Sequence, residues 1–176
     1  MTDLVVREAR VEDLPAVAMV RARTWQAAYA GRVDDAELRT LTDPEVVAEW
    51  AARAATKSTT TYTVAELDDE VVGFAAYGAE RSDAPQPWRG EVYALYVLPE
   101  HWRSGAGSAL MHAALDELAG NGFDHVTLWV LVGNERAIAF YRRHGFHETG
   151  EVVRDHRGLD DLRMARLLGP RGDLVR

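Results

Sequence analysis

Residues 125–132 read HVTLWVLV, an almost unbroken apolar run. A strand with one wet face alternates apolar and polar side chains; a strand covered on both faces does not need to. This run is therefore expected to lie inside a sheet with packing on each surface. The segment before it supplies partners. EVYALYVLP (91–99) is a second strong strand, ended by Pro99. HWRSGAGSALMHAALDELAGNGF then changes period. Ser108, His112 and Asp116 stand four apart on a polar face, while Ala109, Leu110, Ala113, Ala114, Leu115 and Leu118 fill the other side. Gly120 or Gly122 is the expected helix stop.

The remaining chain fits around this unit. LVVREA (4–9) reads as a first strand. EDLPAVAMVRARTW places Leu14, Val17, Ala18, Arg21 and Trp25 near one helical face, with Asp13 as the expected cap and Pro15 tolerated in the first turn. DDAELRTL and DPEVVAEWAARAA give two shorter helices, the second opened by Asp43 and Pro44. TTTYTVAEL and VVGFAAYGA read as strands joined by a turn at 68–70, and 81–90 reads as a loop. FHETGEVVR and DDLRMARLL are expected as closing strands around DHRGLD. Residues 169–176 carry no pattern and are expected to form a flexible tail. Strands around at least three helices predict one α/β or α+β sandwich over 1–168.

Bulk properties exclude several functions. With 176 residues, 47% of them hydrophobic, the chain can build one full core. Twenty basic against twenty-eight acidic residues give −8 at neutral pH, which disfavours nucleic-acid binding. No cysteine is present, so thiolate nucleophiles and Cys-type zinc sites are excluded. The histidines show no metal-binding spacing, and no metal is expected. No stretch approaches the roughly 18 apolar residues of a membrane span, and the N-terminus does not resemble a signal peptide. A cytoplasmic protein without a membrane partner is expected.

The loop LPEHWRSGAG, between a strong strand and a helix, can aim backbone N–H groups at an anion. Gly105 and Gly107 allow close approach, and Arg103 can add a charge-assisted contact. The glycines would equally serve a tight turn. The loop lacks the third glycine of a dinucleotide fingerprint, and Asp124 precedes the next strand where a ribose ligand should follow it. A triphosphate loop needs a Lys-Ser/Thr pair, and the single lysine, Lys57, is far away.

Taken together, EVYALYVLPEHWRSGAGSALMHAALDEL and LWVLVGNERAIAFYRRHGF resemble the GNAT superfamily of acetyl-CoA-dependent N-acetyltransferases. The first piece is similar to the family's Arg/Gln-x-x-Gly-x-Gly/Ala loop, the second to its Asn-x-x-Ala…Phe-Tyr…Gly-Phe segment. Trp102 stands where members commonly have Arg or Gln. The resemblance implies a mixed, mostly antiparallel sheet flanked by helices, splayed between two central parallel strands. It implies acetyl-CoA as acyl-donor cosubstrate, with its pyrophosphate on the backbone of Arg103, Ser104, Gly105, Ala106, Gly107 and Ser108. The pantetheine arm would pair with the strand near Val97, and Asn134 would help to hold it.

The same resemblance sets Tyr141 near the thioester sulfur, as an acid for the departing thiolate; packing beside Phe140 and Phe146 is the other reading of this residue. Asn134 is also a favourable helix cap. Amide formation needs a neutral amine, so a base must accept a proton, directly or through water. Glu91, on the strand leading to the loop, is the candidate, unless it is only an exposed strand-start carboxylate. Trp25 and Tyr29, four apart on the first helix, would wall the acceptor pocket or pack in the core. The expected activity is acetyl transfer to a small-molecule or peptide amine. An acyl-CoA-binding sensor or interaction domain without turnover is the alternative. A homodimer is compatible with the sequence, which carries no interface mark.

Overall fold

The computed structural model describes residues 3–155 and 157–169. The expected tail therefore lies outside the described residues except at Gly169. Among the described residues, seven strands form one sheet: β1 (Leu4–Glu8), β2 (Thr60–Leu67), β3 (Glu70–Ala79), β4 (Arg89–Val97), β5 (His125–Leu131), β6 (His147–Arg154) and β7 (Asp160–Leu167). Their order is β1-β2-β3-β4-β5-β7-β6. The helices are α1 (Leu14–Ala28), α2 (Asp35–Thr40), α3 (Pro44–Ala55), α4 (Ala106–Gly120) and α5 (Glu135–Arg143). The β4–β5 pairing is parallel, while β1–β2, β5–β7 and β6–β7 are antiparallel. The expected mixed sheet flanked by helices is thus present.

The chain divides into two compact units, 1–76 with 94–113, and 77–93 with 114–176. In the first, α1 packs against α3 through Leu14, Ala51 and Ala54, with Trp50 and Tyr62 beside them. The β2–β3 turn carries Asp68 and Asp69 at φ 50° and 66°, a left-handed pair suited to a tight hairpin. Gly73 permits a close approach, because a Cβ there would lie 2.9 Å from the Tyr96 carbonyl oxygen and 3.0 Å from Val97 Cγ2. The α1 cap differs from expectation. Asp13 makes no side-chain cap bond to α1; its carboxylate pairs with Arg7 and accepts the Arg10 N–H at 2.7 Å. An adjacent guanidinium outcompetes a helix amide because both partners are charged. Asp43 likewise makes no side-chain cap bond, and its carbonyl accepts the Val47 N–H.

In the second unit, β5 is buried on both faces, through Val126, Leu128 and Val130 on one and Thr127 and Leu131 on the other. That matches its continuous apolar sequence. Pairing of β4 with β5 runs from Arg89↔His125 to Val92↔Leu128, whereas β4 extends to Val97 and β5 to Leu131. Strand β4 starts two residues earlier than its apolar pattern suggested. Arg89 earns its place in the strand through its own ladder bond and a buried carboxylate: its carbonyl accepts Glu80 N–H at 3.0 Å, and its guanidinium meets the Glu80 carboxylate at 2.9 Å. Gly122, at φ 90°, follows the end of α4, and Gly120 is the helix's last residue.

Candidate functional site

The loop after β4 is built from a short 3-10 turn (Pro99–His101), then Trp102–Gly105, then the first turn of α4. Arg103 adopts φ 68° and Gly105 φ 94°. The left-handed region is free for glycine but costs a residue with a Cβ about 1 kcal/mol or more. Strain of this kind at Arg103 has to be held by its surroundings, and it turns successive peptide groups in a way that regular structure would not. Open space surrounds the Gly105 Cα, with nothing within 4 Å of a Cβ built there. Arg103, Ser104 and Gly105 are exposed; Ala106 is buried.

Two of the six amides expected to receive an anion are engaged within the loop itself. Ser104 N–H donates to the His101 carbonyl at 3.3 Å, and Ala106 N–H donates to Ser104 Oγ at 3.3 Å. The first intrahelical bond runs from Ala109 N–H to the Gly105 carbonyl at 3.0 Å. Helix geometry leaves the amides of Gly107 and Ser108 without intrahelical acceptors. Of the expected amides, those of Arg103, Gly105, Gly107 and Ser108 are the ones not engaged within the loop, and they could receive an anion at the positive end of the α4 dipole.

Val97, the other expected contact to the cosubstrate, ends β4 and is buried. Leu98 N–H donates to the Val72 carbonyl of β3 at 2.8 Å. Neighbouring residues of a strand direct their polar groups to opposite edges. Val97 therefore presents its N–H and C=O to the edge of β4 that faces away from β3. Its carbonyl is occupied there. The Trp102 indole N–H donates to it at 2.8 Å, and Thr24 Oγ1 approaches at 3.4 Å. Trp102 was visible in the sequence as a departure from the family pattern; Thr24 carried no signal.

Trp25 and Tyr29 stack at 4.7 Å between ring centroids, as expected for positions four apart on α1. Both are half-buried. Trp25 Nε1 donates to the Tyr96 hydroxyl at 3.1 Å, and the Arg21 guanidinium lies 4.4 Å above the Trp25 ring. Tyr96 in turn meets Phe74 edge-on at 5.6 Å. An aromatic surface with one cation on it results; helical spacing had set Arg21 on the face of Trp25, while nothing local marked Tyr96 as part of it.

In the second unit, Glu91 is 5% exposed, so it is not a solvated strand-start carboxylate. It accepts the Arg81 backbone N–H at 2.9 Å and lies 3.6 Å from the Arg81 guanidinium. That guanidinium also sits 3.5 Å above the Tyr93 ring. Burial pushes the Tyr93 phenol up; Arg81 draws it down and Glu91 pushes it up again. Arg81 was read only as part of a loop.

Asn134 caps α5, its Oδ1 accepting the Ala137 N–H at 3.2 Å. The cap uses the oxygen, and the side-chain amide N–H₂ is the part that can donate to a ligand. Tyr141 is half-buried and meets Phe140 and Phe146 edge-on at 5.5 and 6.1 Å. Packing and chemistry are compatible for it, since the ring provides the first and the hydroxyl the second. Among the described residues, no group of three or more His, Asp or Glu could hold a metal ion, and no helix is long and apolar enough to cross a membrane.

The model of the Acetyltransferase (GNAT) family matches residues 20–146. The chain is 30% identical to the uncharacterized N-acetyltransferase YuaI of Bacillus subtilis over 148 residues, which cover 84% of this chain and 83% of that protein. Among solved structures, it resembles the PaiA N-acetyltransferase of Thermoplasma acidophilum in complex with coenzyme A, with a TM-score of 0.71, 20% identity, and 94% and 99% of the two chains covered. It also resembles the ribosomal-protein-alanine N-acetyltransferase of Brucella melitensis, with a TM-score of 0.69, 26% identity, and 93% and 99% covered.

Proposed function

The chain belongs to the Acetyltransferase (GNAT) family, and from that membership we propose that it transfers an acetyl group from acetyl-CoA to a primary amine by direct attack in a ternary complex. The observation that carries this reading is the loop after β4, where Arg103 and Gly105 take left-handed backbone at the start of α4. A relative of the same fold is described in complex with coenzyme A, which agrees with a diphosphate as the loop's ligand.

In this reading the amides of Arg103, Gly105, Gly107 and Ser108 receive the pyrophosphate, and the Arg103 guanidinium adds charge. The Asn134 amide holds the pantetheine arm. The Val97 N–H donates to the thioester carbonyl oxygen, where negative charge grows as the amine attacks. The amine nitrogen forms the new C–N bond as the C–S bond breaks. Glu91 accepts the proton that the amine gives up, directly or through water, and Tyr141 O–H supplies one to the departing thiolate. One proton leaves the nucleophile and one reaches the sulfur, so the charges balance.

The acceptor is a small-molecule or peptide amine. The stacked Trp25 and Tyr29 supply an aromatic wall, suited to an amine that carries apolar character, since the Arg21 guanidinium already stands over the Trp25 ring. The Brucella melitensis relative, whose name assigns it a ribosomal-protein alanine, keeps a peptide N-terminus within this class. Localisation in the cytoplasm and assembly as a homodimer are compatible with this activity and are proposed with it; no nucleic acid or membrane takes part.

A thiol-release screen with acetyl-CoA against small amines, polyamines, amino acids, aminoglycosides and peptides tests the proposal, each hit confirmed by product mass. Tight binding of acetyl-CoA with no acetylated product from any amine would favour the second reading, a binding domain without turnover. Absence of acetyl-CoA binding would remove both.

A further inference from the structure

Trp102 joins two parts of the chain that have to act on the same molecule. Its indole N–H donates to the Val97 carbonyl at 2.8 Å, across a separation of five residues. One end of this bond is the last residue of β4. The other is the residue immediately before Arg103, where the backbone turns left-handed at φ 68°. The Val97–Leu98 peptide is held from its other side too, by Leu98 N–H on the Val72 carbonyl at 2.8 Å. Thr24, from α1, approaches the same Val97 oxygen at 3.4 Å. The strand end is thus fixed from β3, from α1 and from the loop.

We propose that Trp102 is a positioning residue for the acyl donor: its indole N–H sets the spacing between the Val97 N–H, which meets the acyl end of the molecule, and the loop amides, which meet its diphosphate. The inference rests on the acetyl-CoA reading. A ligand gripped at two points gains from the second contact only if the two sites keep the span the ligand can bridge. When that span fluctuates, ordering it becomes part of the binding cost. A merely structural tryptophan would leave the relation between the two grips unchanged.

The residue's chemistry is specific. The indole nitrogen stands four bonds from Cα, and so does the amide nitrogen of glutamine. W102Q can therefore place a donor at similar reach. W102F keeps an aromatic ring and has no donor. W102M matches glutamine in length and also has none.

The test compares dissociation constants for acetyl-CoA and for S-acetylpantetheine, which carries the acyl end without the diphosphate and nucleotide. Wild-type protein should bind acetyl-CoA more tightly by a large ratio. W102F should reduce that ratio by about tenfold, through weaker acetyl-CoA binding, with S-acetylpantetheine nearly unaffected. W102Q should keep the ratio close to wild type. If W102F does not fold, W102M against W102Q gives the same contrast. A donor-free variant that folds and retains the wild-type ratio overturns the proposal, as does an equal loss for both ligands. Wild-type protein that binds neither ligand instead removes the acetyl-CoA reading itself, which separates the two failures.

Discussion

The backbone N–H of Arg81 donates to the Glu91 carboxylate at 2.9 Å, so the proposed base is held by a residue of the loop that follows β3. The loop is anchored in turn. Glu80, adjacent to Arg81, accepts the Gln86 N–H at 3.2 Å and pairs with Arg89 and Arg163. The position of Glu91 thus depends on a short segment whose own sequence announces only a loop.

Glu91→Gln keeps the side-chain size and removes the base. It is expected to lower kcat/KM for the best amine by about 10²–10⁴-fold, most at low pH, where more of the amine is protonated. The loss should shrink as pH approaches the amine's own titration. A uniform loss across pH would assign Glu91 to positioning. Arg81→Ala acts differently, because it removes the guanidinium and keeps the backbone donor. A cationic amine then no longer competes with it for the carboxylate, so KM should fall. Arg81 is 52% exposed, and an exposed pair is weak, so the effect should not exceed about fivefold. Steady-state kinetics over pH 6–9 (a range of about three units around neutrality) measure both.

Tyr141→Phe keeps the edge-on contacts with Phe140 and Phe146 and removes the hydroxyl. The expected result is a slower chemical step, by up to about 10²–10⁴-fold, with acetyl-CoA affinity nearly intact. Water in place of the phenol would moderate the loss. Single-turnover rates are the decisive measurement, since slow product release would hide the effect in kcat. An unchanged chemical rate leaves Tyr141 as a packing residue.

Arg103→Gly relieves the left-handed backbone at φ 68° and deletes a cation. Relief is worth about 1 kcal/mol, and the added freedom of the unfolded chain offsets part of it. Folding stability should therefore hold steady or rise slightly, while acetyl-CoA binding weakens by about tenfold and loses salt dependence. Gly105→Ala does the reverse: the site has room for the methyl, but φ 94° disfavours it, so stability falls by about 1 kcal/mol. Thermal unfolding and calorimetric titration separate the two quantities. Parallel changes in both for Arg103→Gly would count against an anion site.

Glu80 is 1% exposed at its side chain, with Arg89 and Arg163 as partners. Burial pushes its carboxyl up, but hydrogen bonds from Arg89, the Gln86 N–H and Arg163 outweigh this and hold it below the ordinary range. A carboxyl depressed in the folded state adds stability that is fully present above its unfolded value, about 4.3, and is lost as pH falls through the folded value. Glu80→Gln should cost about 3 kcal/mol at neutral pH, because Arg89 and Arg163 both lose a buried counter-charge and Arg163 keeps only the half-exposed Glu151 at 2.9 Å. It should also flatten the acid limb of the stability curve below about pH 4. Urea midpoints from pH 3 to 7 (about the carboxylate range and its plateau) provide the check. A variant as acid-sensitive as the parent would show that the network adds nothing to acid stability.

Local signals carried much of the architecture. The unbroken apolar run at 125–132 announced a strand buried on both faces, and β5 is that strand. The change of period after Pro99 announced α4, with His112 and Asp116 on the exposed side. Glycines in the loop announced unusual backbone, and Asn134 announced a cap that its Oδ1 makes. Each of these depends on residues within a few positions of one another, where steric and hydrogen-bond preferences act whatever the rest of the chain does.

Tertiary structure decided which distant side chains meet. Thr24 reaches Val97, Trp25 reaches Tyr96, and Glu80 reaches Arg163 across separations of 73, 71 and 83 residues. It also decided competition between partners: Asp13 was a reasonable cap in isolation, yet its carboxylate belongs to Arg7 once β1 brings that guanidinium alongside. No periodicity encodes such pairs, because they arise only after strand register and helix packing bring separate segments together. The family motif could likewise mark Trp102 as unusual. Only the closed loop, with its indole N–H on the Val97 carbonyl, shows what that residue holds, because a hydrogen bond requires a position and a direction that composition does not contain.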